Sequence, residues 1–465
     1  MKTISILIIT LLISITATAQ DIIGKWNGVL KVQGTQLRLV FNVTKSENGP
    51  TSTMDSPDQG ANGIPVTKTT FENSKIKFEV ANARIEYDGE LDGDEITGTF
   101  KQGGQVFPMN LSRKAIEKEV VKRPQEPSKP YSYYSEDVTF QNPKANISLA
   151  GTLTLPEKEG VFPVVVLITG SGPQNRDEEL VGHKPFLVIS DYLTKNGIAV
   201  LRYDDRGVGQ SKGDFKTATT TDFATDVESA ITYLKTRKEI NKKQIGLVGH
   251  SEGGLIAPMV ASKSKDVSFI VLLAGTGIQG DKLLLLQQEL IAKANGASES
   301  DIKKSVQANA NLFKMVLQSN DNQKLKADLT NKINEIVKND NSSEISKGMT
   351  KDQYIALQVD QITSPWMEYF MKYNPVPALE KVKCAVLAVN GEKDLQVPPK
   401  ENLTAIKNAL TKGGNKNVTT IEFPNLNHLF QECKTGSPNE YASIEQTFSP
   451  RALAEITQWI KSQTK

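Results

Sequence analysis

Cysteine is nearly missing from this chain of 465 residues: Cys384 and Cys433 are the only two. Neither has CxxC or Cys/His spacing, so the pattern excludes both a zinc cluster and a disulfide scaffold, although one bond between them stays open. Histidine is as scarce, with only three residues, His183, His250 and His428. Charge is also nearly balanced, at a net +2, which excludes the basic footprint of a nucleic-acid binder. No later segment is apolar enough for a bilayer span, which needs roughly 20 residues. Neither G-x-G-x-x-G nor the Walker lysine follows a strand, which argues against a phosphate cradle, and no metal or organic cofactor is implied.

What is present starts at the N-terminus. Met1-Lys2 precedes an apolar run from Ile4 to Ile15 of about a dozen residues, and Ala17-Thr18-Ala19 has the small-x-small cleavage pattern. Residues 1–19 are therefore expected to be a signal peptide, with export to the periplasm or outside the cell. Residues 20–115 alternate apolar and polar between Gly, Asn and Asp turns, as in "QLRLVFNVT" and "RIEYDGELDGDEITGTF". They predict six to nine antiparallel strands in a small barrel or sandwich, an accessory domain with ligand binding in its interior as the alternative. Gly24-Lys25-Trp26 resembles the opening of lipocalin-like barrels. Residues 116–136, rich in proline and charge, read as a linker.

From 137 to 465 the rhythm changes. Continuous apolar runs ("VVVLIT", "IAVLRYD", "IGLVG", "FIVLLAG") alternate with amphipathic helices, which predicts a mostly parallel sheet covered on both faces. Near Asp281 the strands stop for about 95 residues of helical character, to about residue 375. They resume at "CAVLAVNGEKD". A helical insertion at that place is expected to cap an active site, the alternative being an ordinary helical subdomain.

The chemistry centres on "VGHSEGG". Ser251 sits between Gly249 and Gly253, where a buried strand turns at once into a helix, the context of a nucleophile elbow. A serine hydroxyl needs a base, nearly always imidazole oriented by a carboxylate. His250 lies within the elbow and reads as packing or polar support, and His183 as a surface residue. His428 follows the strand "VTTIEF" and is the candidate base. Asp394, after the strand ending at Gly391, is the candidate carboxylate, with Glu392 as alternative. The backbone N–H of Glu252 is expected to stabilise an oxyanion, together with an amide of the Gly170–Gln174 loop, Ser171 first and Gln174 second.

"GHSEGG", "GSGPQNRDE", "RYDDRGVGQSKGDF", "SPWMEYF" and "NHLFQECKTGSPNEY" together resemble the α/β-hydrolase superfamily, and within it bacterial carboxylesterases of the EstD type, near the serine aminopeptidase-like hydrolases. The resemblance covers residue 138 to the C-terminus well and the β domain in outline. It implies an α/β-hydrolase fold and a triad of Ser251, His428 and Asp394. Asp205 and Arg206 would form an ion-paired structural corner. Thr169 opens the oxyanion loop where many relatives carry histidine. The expected activity is hydrolysis of short- to medium-chain carboxylic esters, on a small-molecule ester substrate. Alternatives are a peptidase or aminopeptidase with the same triad, and a protein that mainly binds ligand through its β domain. Oligomeric state is left open.

Overall fold

The computed structural model describes residues 21–32, 35–47, 49–59, 61–102, 105–117, 123–339 and 350–465, in two compact units. The expected signal peptide, residues 1–19, lies outside the described residues.

The first unit holds β1 (Gly24–Val32), β2 (Thr35–Ser46), β3 (Gly49–Ser56), β4 (Ala61–Pro65), β5 (Lys68–Glu72), β6 (Lys75–Val80), β7 (Ile85–Asp92), β8 (Glu95–Gln102), β9 (Gln105–Pro108) and β10 (Leu111–Ser112). They form one antiparallel sheet in the order β4-β3-β2-β1-β10-β8-β7-β6-β5, with β9 added on β8. This is a half-barrel rather than a two-sheet sandwich. Among the described residues it has ten strands rather than six to nine, several of them short: β4 and β5 have five residues each, β9 four and β10 two. Alternation puts every second side chain inside: in β6, Ile76, Phe78 and Val80 are buried while Lys75 is exposed. Trp26, Phe41, Phe78 and Tyr87 fill that interior without solvent exposure, and the Phe41 and Phe78 rings stack at 4.3 Å. Packed aromatic side chains occupy the place where ligand binding was the alternative.

The second unit contains an eight-stranded sheet. Its strands are β11 (Tyr134–Asn142), β12 (Ile147–Leu155), β13 (Phe162–Ile168), β14 (Ala199–Tyr203), β15 (Ile240–His250), β16 (Val267–Leu273), β17 (Ala385–Gly391) and β18 (Val418–Phe423), in the order β11-β12-β14-β13-β15-β16-β17-β18. The sheet is mixed: the β11–β12 and β12–β14 pairings are antiparallel, and all those from β14 to β18 are parallel. Parallel strands need crossovers, and these are helical. One face is covered by α2 (Thr220–Thr236), α3 (Gly253–Ala261) and α10 (Pro399–Lys412), the other by α1 (Pro185–Lys195) and α11 (Pro450–Gln463). Both faces being covered explains the unbroken apolar runs: Val164 and Val166 enter one cluster, Val165 and Leu167 the other. Each such side chain contributes about 1.5–3 kcal/mol of burial.

Between β16 and β17 come α4 (Gly280–Ala294), α5 (Glu299–Gln318), α6 (Asn322–Asn339), α7 (Lys351–Ile362) and α8 (Pro365–Lys372), then the short α9 (Val376–Leu379). Ser298 and Ser364 cap α5 and α8 by accepting from the Asp301 and Met367 amides. These helices share a small core of their own, with Leu312, Phe313, Leu329, Ile333, Val359 and Met371. A further cluster joins Leu283 of α4 and Phe370 of α8 to Leu255 of α3 and to Val397.

Part of the expected linker is not free chain. Arg123 donates to the carbonyls of Gly182 (3.2 Å) and Ala442 (3.0 Å), and Gln125 accepts from the Thr447 amide at 2.6 Å.

Candidate active site

β15 runs straight into Ser251, whose φ of +52° is left-handed. A non-glycine residue there stores about 1–3 kcal/mol of strain, held by the surrounding structure. Here the Ser251 amide donates to the Leu273 carbonyl at 2.9 Å, and the Gly254 amide returns to the Ser251 carbonyl at 3.0 Å. The flanking glycines are required by space. A Cβ on Gly249 would strike the Gly253 carbonyl, and one on Gly253 would strike the carbonyl of Ile168 in β13.

Asp394 and His428 meet. His428 Nδ1 lies 2.8 Å from Asp394 Oδ2, and both residues are buried. The other oxygen, Oδ1, accepts the amides of Gln396 and Val397, each at 2.8 Å, so the carboxylate has one orientation. Asn427 fixes the turn that carries His428, its Oδ1 accepting the Leu429 (3.0 Å) and Gln431 (2.9 Å) amides. Glu392, the alternative carboxylate, is exposed and accepts from the Asn425 amide at 2.9 Å. Ser251 lies at the same carboxyl edge of the sheet, partly exposed. Its hydroxyl makes no hydrogen bond to His428 among the described residues, an arrangement common before substrate arrives.

The loop after β13 approaches the elbow closely: a Cβ on Gly170 would sit 3.2 Å from Ser251 Cβ. Among the described residues, the amides of Ser171 and Glu252 have no hydrogen-bond acceptor within the protein. The Gln174 amide, by contrast, the second choice for the oxyanion, donates to Asp205 Oδ2 at 3.0 Å. Asp205 also accepts from the Thr169 hydroxyl at 2.7 Å, so it braces this loop instead of pairing with Arg206. Burial raises its pKa well above the carboxylate range, and the charges of Glu252 and Glu178 add to that. Arg206 pairs with Asp226 at 2.8 Å, and Arg176 with Asp204 at 2.8 Å.

The Glu252 side chain is buried. Oε1 accepts from the Thr220 hydroxyl (2.7 Å) and from the indole N–H of Trp366 in α8 (2.8 Å). Burial raises this carboxyl, against the pull of those two bonds.

The other two histidines are both buried. His183, expected at the surface, is wholly buried, with Nδ1 3.0 Å from the Thr447 hydroxyl and Nε2 2.9 Å from the Tyr441 carbonyl. Burial lowers it to about 4. His250 sits between Glu178 (Nδ1 to Oε1, 2.9 Å) and the His428 carbonyl oxygen (Nε2, 3.0 Å). Burial opposes its charge, but Glu178 overcomes that and its pKa is raised. Glu178 was not singled out from sequence. The signal available was an acidic residue in "GSGPQNRDEE", so close behind the glycine loop.

An elbow serine, a carboxylate-bound histidine and a mixed sheet between two helical layers define the α/β-hydrolase class. Residues 186–432 match the model of the serine aminopeptidase, S33 family (Hydrolase_4), more than half of the chain, and the protein belongs to that family of hydrolases. It is similar to esterase EstD of Thermotoga maritima, 25% identical over 335 residues covering 71% of this chain and 68% of that protein. An uncharacterized 31.7 kDa protein of Escherichia coli is 24% identical over 320 residues, covering 68% of this chain and 97% of its own. Among solved structures, a Pyrococcus furiosus esterase, Pf2001, aligns with a TM-score of 0.44 at 16% identity, over 75% of this chain and all of that one.

Proposed function

We propose that the protein is an exported serine carboxylesterase acting on short- to medium-chain esters. The observation that carries the reading is the His428–Asp394 contact of 2.8 Å at the sheet edge where Ser251 is held left-handed. In this mechanism His428 Nε2 takes the Ser251 proton as Oγ attacks the ester carbonyl, and Asp394 holds the imidazolium that forms. The Glu252 and Ser171 amides receive the oxyanion. His428 then returns the proton to the leaving alcohol, giving an acyl-serine, and activates the water that releases the acid.

Apolar side chains close to the elbow, Leu255, Leu283 and Phe370, favour an acyl chain, with α4 and α8 acting as a cap. An aminopeptidase would need a free carboxylate in the insertion to hold an amine. Glu289, Glu299 and Asp301 point to solvent, and Glu368 is engaged by Asn322 (2.5 Å) and Lys372 (3.7 Å). The engagement of Glu368 and the exposure of the other three favour ester over aminoacyl substrate. Asp281 of α4, whose buried Oδ1 has no hydrogen-bond partner among the described residues, is the carboxylate that an aminoacyl substrate would have to use. Export rests on the Met1–Ala19 pattern. No helix among the described residues is long and apolar enough to cross a membrane.

The test is turnover of p-nitrophenyl esters from acetate to palmitate beside an aminoacyl p-nitroanilide panel, for the wild type and Ser251→Ala. Ester turnover lost in the variant, with the anilides inert, is expected. Anilide turnover that disappears with Ser251 would move the assignment to a peptidase, and an active variant would remove Ser251 from the mechanism.

A further inference from the structure

Ser251, Ser171 and His428 come from three separate loops, after β15, β13 and β18. Serine catalysis depends on their mutual placement, and a misplacement of about 1 Å costs on the order of 100-fold in rate. One buried pair of side chains touches all three loops. Glu178, 4% exposed and held at a φ of +50°, accepts the Gly170 amide at 2.7 Å, one residue before Ser171. The same oxygen, Oε1, meets Nδ1 of His250, one residue before Ser251. The far nitrogen of that ring reaches the main-chain carbonyl of His428.

The protonation state follows from the partners. A carbonyl oxygen only accepts, so His250 Nε2 carries a proton. Glu178 Oε1 already accepts an amide proton, as an ionised carboxylate does, so Nδ1 donates to it as well. A ring that donates from both nitrogens is an imidazolium. We infer that Glu178 and His250 form a standing carboxylate–imidazolium pair that sets the spacing of nucleophile, oxyanion loop and base. Both are positioning residues, since neither has been placed against the reacting atoms.

The groups around His250 agree with a cation there. Glu178 faces it from the loop after β13, and Asp394 contributes its charge from the loop after β17. The His428 ring, after β18, lies 4.8 Å away centre to centre. Asp205, after β14, lies near Glu178, and burial raises its own pKa well above the carboxylate range. Elsewhere such a pair could give way to apolar side chains at little cost. Here its outer contacts are main-chain groups of the loops that carry the site, which an apolar pair could not hold.

The protonation state stands on geometry alone, while its consequence for rate rests on the triad reading above. Three histidines make the test legible. Two-bond proton–nitrogen spectra of the full chain labelled with 15N-histidine, from about pH 6 to about pH 9, should show one ring in the imidazolium pattern throughout. His250→Gln assigns that signal by removing it. Glu178→Gln keeps a hydrogen-bond acceptor at the same place but removes the charge. It should turn the ring neutral and lower kcat for a p-nitrophenyl ester by about 10- to 100-fold, with KM within about threefold. A neutral His250 ring in the wild type near pH 7 overturns the inference, whether or not any variant folds. So does wild-type kcat in Glu178→Gln. If Ser251→Ala keeps its turnover, the triad reading fails instead, and the wild-type spectrum still decides the pair.

Discussion

Replacing Asp394 by Asn tests whether this carboxylate works through charge and tautomer or only through packing. The structure dictates which way the amide would face. Asp394 Oδ1 receives two main-chain N–H groups at 2.8 Å, and only the carbonyl end of an Asn can replace it there. The NH2 group then faces His428 Nδ1 across the former 2.8 Å contact. Nδ1 must accept, the ring proton moves to Nε2, and the nitrogen proposed to take the Ser251 proton can no longer do so. The opposite flip would set the NH2 against two N–H donors, that of Val397 buried and that of Gln396 part-buried. Leaving a buried donor unpaired costs about 1–3 kcal/mol, and about 2 kcal/mol within that range holds that flip near 3%. The expected loss in kcat is therefore at least about 30-fold. It approaches the roughly 10,000-fold, or about 5.4 kcal/mol, seen when a triad carboxylate becomes an amide. Hydrogen bonds are kept in number, so the melting temperature should move by only about 3 °C. Steady-state hydrolysis of a p-nitrophenyl ester with a thermal melt measures both. More than a tenth of wild-type kcat in a folded Asp394→Asn protein would refute the tautomer argument.

Gly249→Ala should fail to fold or lose more than about 3 kcal/mol in urea unfolding, because its Cβ strikes the Gly253 carbonyl and neither side of the elbow can move. Trp366→Phe removes one of two donors from the buried Glu252 carboxyl, at a cost of about 1–3 kcal/mol, and should increase hydrogen exchange in α8; unchanged exchange would mean the indole N–H does not tether that helix. His183 binds its proton less well folded, at about 4, than unfolded, at about 6.5, so the unfolded chain carries more protons between those values. Its contribution is complete above about pH 6.5 and declines toward pH 4, by up to about 3 kcal/mol. The difference in unfolding free energy between wild type and His183→Gln should follow that course, and a pH-independent difference would show that His183 is not buried neutral.

What could be read from sequence was local or periodic. Alternation in residues 20–115 marked buried and exposed faces, and unbroken runs such as "VVVLIT" marked strands covered on both sides, because periods of two and of none reflect burial directly. Gly249 and Gly253 announced a corner because their spacing records a steric need within five residues. Asp394 and His428, 34 apart, could be named as neighbours because each follows a parallel strand out of the same sheet edge. The two strands that make the sheet mixed, β11 at its edge and β12 beside it, have no such run to announce their direction. His183 looked like a loop residue; its burial depends on Thr447 and Tyr441, 264 and 258 residues away, which only the folded chain brings over it. The same holds for Arg123 and Gln125, each with a partner more than 300 residues on.

The loop after β13 shows how two buried carboxylates, unreadable in sequence, can separate amides that sequence only ranks. "GSGPQ" offers several N–H groups, and its sequence puts Ser171 first and Gln174 second without showing what either amide is bonded to. In the folded chain Glu178 takes the Gly170 amide and Asp205 takes that of Gln174, so the loop is anchored on both sides of Ser171. Each of these amides would have to leave a carboxyl oxygen that already accepts it, which makes either anchored amide costly to recruit for a transient oxyanion. The Ser171 amide carries no such cost. An amide held in place by its neighbours and committed to none of them can meet developing charge without reorganisation, which is the condition for electrostatic catalysis. On this argument Glu178 acts twice, once through the Gly170 amide and once through His250. Removing its charge should therefore disturb the oxyanion loop and the base together rather than either alone.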